Sequence, residues 1–511
     1  MATSDLKSNS SGDAQKAIGV ETQNAPPDGP VIVADKLARK LSARQVQMIA
    51  IGGTIGTGLF LGTGRSLSTA GPASMLISYA LVGAIVFITM LSLGEMAAFV
   101  PIAGSFCTYA GRFVDDAFGF ALTWNYWLND AVATAADLVA LQILLKYWSD
   151  NFPGWAFSLI FLFVLIGLNI VTVRAYGEIE YWLSLLKVVT IVIFIILGVA
   201  VNCGGNVDRH GGTESIAVTA GETRNPAVTL PRVVRNVFWR ILIFYILGVL
   251  IIGLNVPYTY PNLANRDTQT SPFTIVFQQA GSRVAGSFIN AVIMTSVISA
   301  GNHALFAGSR LMYSLAVDRH APAFLGKLNR HRVPWVAVLA TSVISGLCFG
   351  SSYIGAGQLW TWLQNIVGVS NQISWMSIGI ASIRFRAAIK RQNLEHFLPF
   401  KNWTYPFGPY ASVILNAFII LVQGWSSFSP RFKAVDFVSL YIQIPVMIVM
   451  IAAWKLIKRT KFVPLDEMDL LTDRYDGGVE GEAAAELRKR KRFRDQSSQE
   501  KAKTVGMWLF L

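Results

Sequence analysis

Gly52, Gly53, Thr54, Ile55, Gly56, Thr57 and Gly58 follow one another in the middle of an apolar run, Val46 to Gly64, that is long enough to reach bilayer depth. Four glycines and two threonines are poor helix formers. In hydrocarbon, unwound backbone persists only where protein or a water-filled cavity satisfies its N–H and C=O groups. A spanning segment broken in this way marks a transport site built on two half-helices. Close helix packing through small residues is the competing reading.

Ionisable residues inside apolar runs are the second signal, because at membrane depth they are costly and usually functional. Asp137 lies within the run 118–145, where its partner is either a proton or a cationic group; a buried acid paired to Asn or Tyr is the alternative. Asp130 is seven residues earlier, so the two acids share one helix face, and it is placed nearer the outer surface. Asn302 and His303 interrupt the run 284–310; packing and a helix hydrogen bond account for His303 more simply than titration. Glu95 closes the run 73–98 and reads as a structural acid at the cytoplasmic end, and Trp124 and Tyr126 read as packing residues.

The elements that must position these groups are membrane helices. Of 511 residues, 53% are hydrophobic and 14% charged, far below the charge of a soluble domain. Apolar segments of spanning length fall at 46–71, 73–98, 118–145, 155–174, 181–202, 237–257, 284–310, 334–354, 359–384, 409–427 and 435–455. The chain is therefore all-α and polytopic. Residues 1–45 read as a disordered cytoplasmic tail, 46–457 as the membrane domain, and 458–511 as a cytoplasmic C-tail whose basic stretch Arg488 to Arg494 suits anionic lipid or plain solvation. Cys107, Cys203 and Cys348 have no metal or disulfide spacing. The glycine run lacks the lysine of a phosphate loop, so no nucleotide and no cofactor is expected. The net charge of +13 is inner-face loop charge and not a nucleic-acid footprint.

Basic clusters fix the orientation. Lys36, Arg39, Lys40 and Arg44 hold the N-terminus in the cytoplasm, and five spans then put Cys203 outside. Arg224, Arg232, Arg235 and Arg240 require the cytoplasm again, so one crossing must lie between 203 and 236. The longest uncharged apolar stretch there, Ser215 to Gly221, gives about 10 Å of helix against a core about 30 Å thick.

The chain resembles fungal amino-acid permeases of the amino acid–polyamine–organocation superfamily. The resemblance is carried by Ile51 to Phe60, Leu93 to Met96, Pro101 to Phe106, Trp124 to Trp127, Gly212 to Glu214, Ala220 to Pro226, Pro231-Arg232, Ser299 to Asn302 and Ala307 to Arg310. It covers about residues 42–460 and implies a LeuT-like inverted repeat of twelve spans, with substrate held between broken helices one and six. It also locates the shortfall, since Gly211 to Ala220 resembles the unwound centre and second half of helix six, and the half-helix expected before it is missing. The expectation is eleven full spans plus a partial helix six that leaves one flank of the site open, through a skipped exon, a mistaken gene model or a natural deletion.

By that resemblance, Ile55, Gly56, Thr57 and Gly58 receive a substrate carboxylate, and Gly212, Thr213 and Glu214 serve from helix six. Glu214, Asp137 and Asn302 are candidates for proton coupling or side-chain selectivity. Trp362, Asn365 and the trio Ser370, Asn371 and Gln372 shape the side-chain pocket. The implied activity is proton-coupled import of amino acids at the plasma membrane, with lysine and arginine ahead of neutral side chains. A non-transporting amino-acid sensor and an inactive truncated permease are the alternatives. Substrate, protons and lipid are the partners; oligomeric state is not legible.

Overall fold

A computed structural model describes residues 55–149 and 153–200 apart from 103 and 172, then 239, 241–261, 263, 271–279, 283–428 and 431–472, with 45, 48, 49 and 53 ahead of them. The tails 1–44 and 473–511, and 201–238 with the expected partial helix six, lie outside the described residues.

Among the described residues all regular structure is helical. A π-helical turn, Gly58–Gly62, leads into α1 (Thr63–Phe99). Within α1, Gly71 has φ 71° and ψ 170°, a conformation that costs glycine little, and Pro72 follows without an N–H to donate. The chain breaks there, so the 42 residues Gly58–Phe99 hold the later part of the first predicted span, 46–71, and all of the second, 73–98. A short helix α2 (Phe106–Phe113) precedes α3 (Asp116–Leu145), whose N-cap Asp115 accepts from the Ala117 amide at 2.9 Å. There follow α4 (Gly154–Val171), α5 (Val173–Ala200), α6 (Gly248–Asn255) entered through a second π-turn (Ile241–Leu247), α7 (Pro272–Gln279) and α8 (Arg283–Val317). The series ends with α9 (Trp335–Ser345, extended by tighter turns to Ile354), α10 (Ala356–Arg391), α11 (Phe407–Val422), α12 (Ala434–Tyr441) and α13 (Gln443–Lys458).

Seven described helices are long and apolar enough to cross a bilayer, or eight if α12 and α13, bent by 43°, make one span. The protein is thus a polytopic helical membrane protein. Helix α3 is its centre, packed against α8, α10, α2, α13, α9 and α4. Its outward surroundings are lipid-like: Phe407, Leu421 and Trp425 around α11 and Val449, Leu456 and Ile457 on α13 are largely exposed, as side chains facing hydrocarbon should be.

One end of the bundle is tied by polar contacts. Glu95, fully buried at the end of α1, takes both Arg386 nitrogens of α10 at 2.8 and 2.9 Å and the Asn402 amide at 2.7 Å. It is the structural acid expected there. Beyond α13 the chain runs back beneath the bundle to Thr472. Arg384 donates to the carbonyls of Phe113 and Val463, the Val463 amide to Val114 O, and Arg112 pairs with Asp469 at 3.1 Å. Met468 and Leu470 of this strap are buried.

Candidate functional site

The glycine run is broken in the structure. Gly53 sits in a turn, its amide 2.7 Å from Ile49 O, and Ile55 and Gly56 form a bend before the π-turn begins at Gly58. Where the α pattern lapses, outside groups take over: the Ser271 hydroxyl donates to Phe60 O at 2.6 Å, and Phe273 meets Phe60 edge-on at 4.9 Å. The expected discontinuity is therefore present at the described residues Gly53, Ile55 and Gly56, and Ser271 and Phe273 pack against the turn that follows it.

Thr57 connects the break to the membrane acid. Its hydroxyl donates to Asp137 Oδ1 of α3 at 2.8 Å, and Gln364 of α10 reaches the same hydroxyl at 3.4 Å. Opposite Asp137 lies Gly301 of α8, where an added Cβ would stand 3.3 Å from the Asp137 Cβ. One heptad on, Gly308 faces Asp130 in the same way, so α3 and α8 run antiparallel with both acids in their seam. Asp130 lies seven residues, two turns, nearer than Asp137 to the start of α3 at Asp116.

Two further charged groups, missed in the sequence, complete the cluster. Glu180 and Lys187, both on α5, are 0% and 1% exposed. Glu180 accepts from Ser299 at 2.7 Å and from Asn302 at 2.8 Å, and Asn302 in turn accepts from Asn169 at 2.8 Å. Lys187 is close enough to act electrostatically on both Asp137 and Glu180. Asn302 therefore orients Glu180. The available signal was spacing: 180 and 187 are one heptad apart and share a helix face, but a single lysine inside an apolar run barely lowers its hydropathy.

The remaining candidates separate cleanly. Ile55, Thr57 and Asp137 are 0%, 2% and 6% exposed, so this part of the site is closed; the flank expected to be open belongs to helix six, outside the described residues. Trp362 and Asn365 bond Asp436 and Ser439 of α12 at 2.9 and 3.0 Å, which turns them away from the break; Gln364 is the α10 residue that reaches it. Ser370 pairs with Asn125 at 2.8 Å. Gly212, Thr213 and Glu214 lie outside the described residues.

Two acids, one lysine, a threonine hydroxyl and an opened helix end are thus buried in one region of the bundle. Among the described residues no group of three metal-binding side chains occurs.

Comparison with known proteins bears on this arrangement. The family model described as amino acid permease matches residues 45–211 and 208–466, in two stretches that meet near Gly211. The chain is 44% identical to a probable amino-acid permease of Schizosaccharomyces pombe over 86% of its own length and 96% of that protein. It is 43% identical to a lysine-specific permease of Escherichia coli (85% and 96%) and 36% to a basic amino-acid permease of Saccharomyces cerevisiae (83% and 81%). The S. pombe alignment extends over 487 positions, whereas 86% of 511 residues is about 439; roughly 48 positions face no residue here, enough for a loop and a spanning helix.

Proposed function

The chain belongs to the amino acid permease family and is a membrane transporter of amino acids, not an enzyme; from that premise we propose that it works as a proton symporter of the plasma membrane, importing lysine and arginine ahead of neutral amino acids. The observation that carries the coupling is the buried set of Asp137, Glu180 and Lys187 beside Thr57. With every group ionised, these three carry one excess negative charge in a site that excludes water. A buried net charge is expensive. One proton, or the ammonium of a substrate, neutralises it. Proton and substrate are thereby linked through Asp137, whose carboxylate already touches the broken helix.

The substrate carboxylate meets the amides of Ile55, Gly56, Thr57 and Gly58, where the helix end is positive. The ammonium goes to carbonyls freed by the break, and Gly212, Thr213 and Glu214 are assigned to the opposite wall. Cationic preference is supported by relatives named for lysine and for basic amino acids. Inward movement of each positive charge gains about 2.3 kcal/mol per 100 mV of membrane potential. The fold under this reading is the LeuT-like inverted repeat, with both termini in the cytoplasm.

A second reading has its own support. The family match divides at 208–211 and the S. pombe alignment leaves roughly 48 positions unfilled, enough for the half-helix and loop that the charge pattern demands between 203 and 236. The 511-residue chain is then eleven spans plus a partial helix six, and inactive as written. Sequencing the transcript across codons 200 to 215 decides between a deletion in the message and an error in the gene structure. Lysine uptake into vesicles with an imposed pH gradient, using a chain with helix six restored, tests the symport reading: uptake indifferent to the gradient and to a protonophore would remove it.

A further inference from the structure

Where α8 gives way to the connection leading to α9, an imidazole docks the chain on α3 and α13. Helix α8 ends at Val317, and Arg319, at φ 58°, takes the left-handed conformation that closes a helix end. The amides of His320 and Ala321 then return to Leu315 O at 2.8 and 2.9 Å. That turn brings His320 to the first turns of α3. Its Nε2 lies 3.3 Å from Asp116 Oδ1, and the other Asp116 oxygen accepts from the Trp454 indole of α13 at 2.9 Å. The imidazole stands edge-on to Phe120 of α3 at 5.5 Å and to Trp454 at 5.1 Å, and those two rings stack on each other at 4.0 Å. Trp124 of α3 donates to the His320 carbonyl at 3.3 Å.

The charges facing His320 come from each element it meets. Asp116 belongs to α3, and Asp318, which accepts from Ser314 at 3.2 Å, belongs to the same turn as His320. Lys458 of α13 lies 5.5 Å from the Trp454 ring and acts electrostatically on Asp116. Arg319 adjoins the ring in sequence and is exposed. Asp115, beside Asp116, is already engaged by Lys455 and Thr460. His320 acts on both Asp116 and Asp318, so two carboxylates face one ring. Histidine is the side chain whose charge changes between pH 5 and 8. Protonated, the ring donates from both nitrogens and attracts both acids; neutral, it keeps one donor and loses that attraction. The indole–carboxylate bond and the ring contacts stay the same, so titration changes one link among several.

We infer that His320, Asp116 and Trp454 form a pH-sensitive clip that holds the α8–α9 connection on α3 and α13, closed while the imidazole is protonated and loosened as pH rises at this end of the bundle. The clip stands on this geometry alone. One consequence rests on the symport reading: with this end in the cytoplasm, imported protons arrive here, and the clip tightens as they accumulate.

Hydrogen exchange on the purified 511-residue chain in detergent tests the clip without any transport. Protection of the segment from Asp318 to Leu325, corrected for the intrinsic pH dependence of exchange, reports how often the turn opens. A partly exposed ion pair changes that opening about two- to fivefold, so protection should fall by that factor between pH 6 and pH 8. His320→Gln and Asp116→Asn should each lower protection at pH 6 and abolish its pH dependence. Trp454→Phe, which leaves the imidazole–carboxylate pair, should lower protection and keep the pH dependence. If His320→Gln misfolds, Asp116→Asn, on an exposed side chain, carries the test. Equal protection at pH 6 and pH 8 in the unsubstituted chain, or an unchanged pH response in His320→Gln or Asp116→Asn, overturns the clip. Lysine uptake that ignores a protonophore once helix six is restored would remove the symport reading and the feedback drawn from it, and leave the clip standing.

Discussion

Lys187 sets the balance of the buried charges, and it is the residue the sequence hid best. Replaced by methionine, it leaves Asp137 and Glu180 buried with no cation among these three groups. With helix six restored, Lys187→Met should abolish the response of lysine uptake to external pH while the protein still reaches the membrane; an unchanged pH response would remove Lys187 from coupling. Asp137 is different. From sequence, a lone acid inside the third span points toward a cationic substrate side chain, and Asp137→Asn would then spare leucine. The hydrogen bond from Thr57 and the field of Lys187 engage the carboxylate within the protein. The expected outcome is therefore an equal loss of lysine and leucine uptake, and selective loss of lysine would return Asp137 to side-chain recognition. The glycine run and Asp137 were legible because composition changes abruptly there. Glu180 and Lys187 were not, nor was the meeting of Glu180 with Ser299 and Asn302 across α5 and α8, because one sequence does not encode which helices touch.

At the scale of elements, the helix break was legible and the polar ties at the bundle end were not. Low helix propensity at bilayer depth requires an interruption near Gly53–Gly58 whatever packs around it. The Glu95–Arg386 pair joins residues 291 apart in sequence, and only folding reveals it. Glu95→Ala would strand Arg386, and breaking a buried pair costs about 3–5 kcal/mol; the melting temperature in detergent should fall clearly, and an unchanged melt would make the pair ornamental. The C-terminal strap has a defined pH dependence. Burial raises the carboxyl pKa of Asp469, but the Thr472 and Leu471 amides and Arg112 outweigh it and hold the group below its ordinary 3.8. Asp115 behaves likewise: burial raises it, and Lys455, Thr460 and the Ala117 amide lower it further. A depressed folded-state pKa stabilises above the ordinary value and is lost as pH falls through the lowered one. Trypsin cleavage at Lys461 should thus be equally slow at pH 7 and pH 5, and Asp469→Ala should speed it at both. Fast cleavage of the unsubstituted chain at pH 5 would contradict this.

For the whole molecule, composition gave the class, and charge counting gave an expected orientation and an expected place for the shortfall, because the positive-inside bias and the length of a bilayer crossing are independent of packing. The family match, divided near Gly211, falls where the crossing count fails. Neither observation depends on the other. The burial of Ile55, Thr57 and Asp137 was not legible, since closure of a site depends on which neighbours fill it. The account's central claim is that this is a proton-coupled amino-acid permease whose site is incomplete in the 511-residue form. The most direct measurement is radiolabelled lysine uptake in permease-null cells, comparing that form with one in which the corresponding segment of the S. pombe relative is inserted at Gly211, both quantified at the cell surface. The account predicts little uptake by the first, and uptake by the second that is stronger at acidic external pH and lost with a protonophore. Robust uptake by the uninterrupted 511-residue chain, or restored uptake indifferent to the proton gradient, would contradict it.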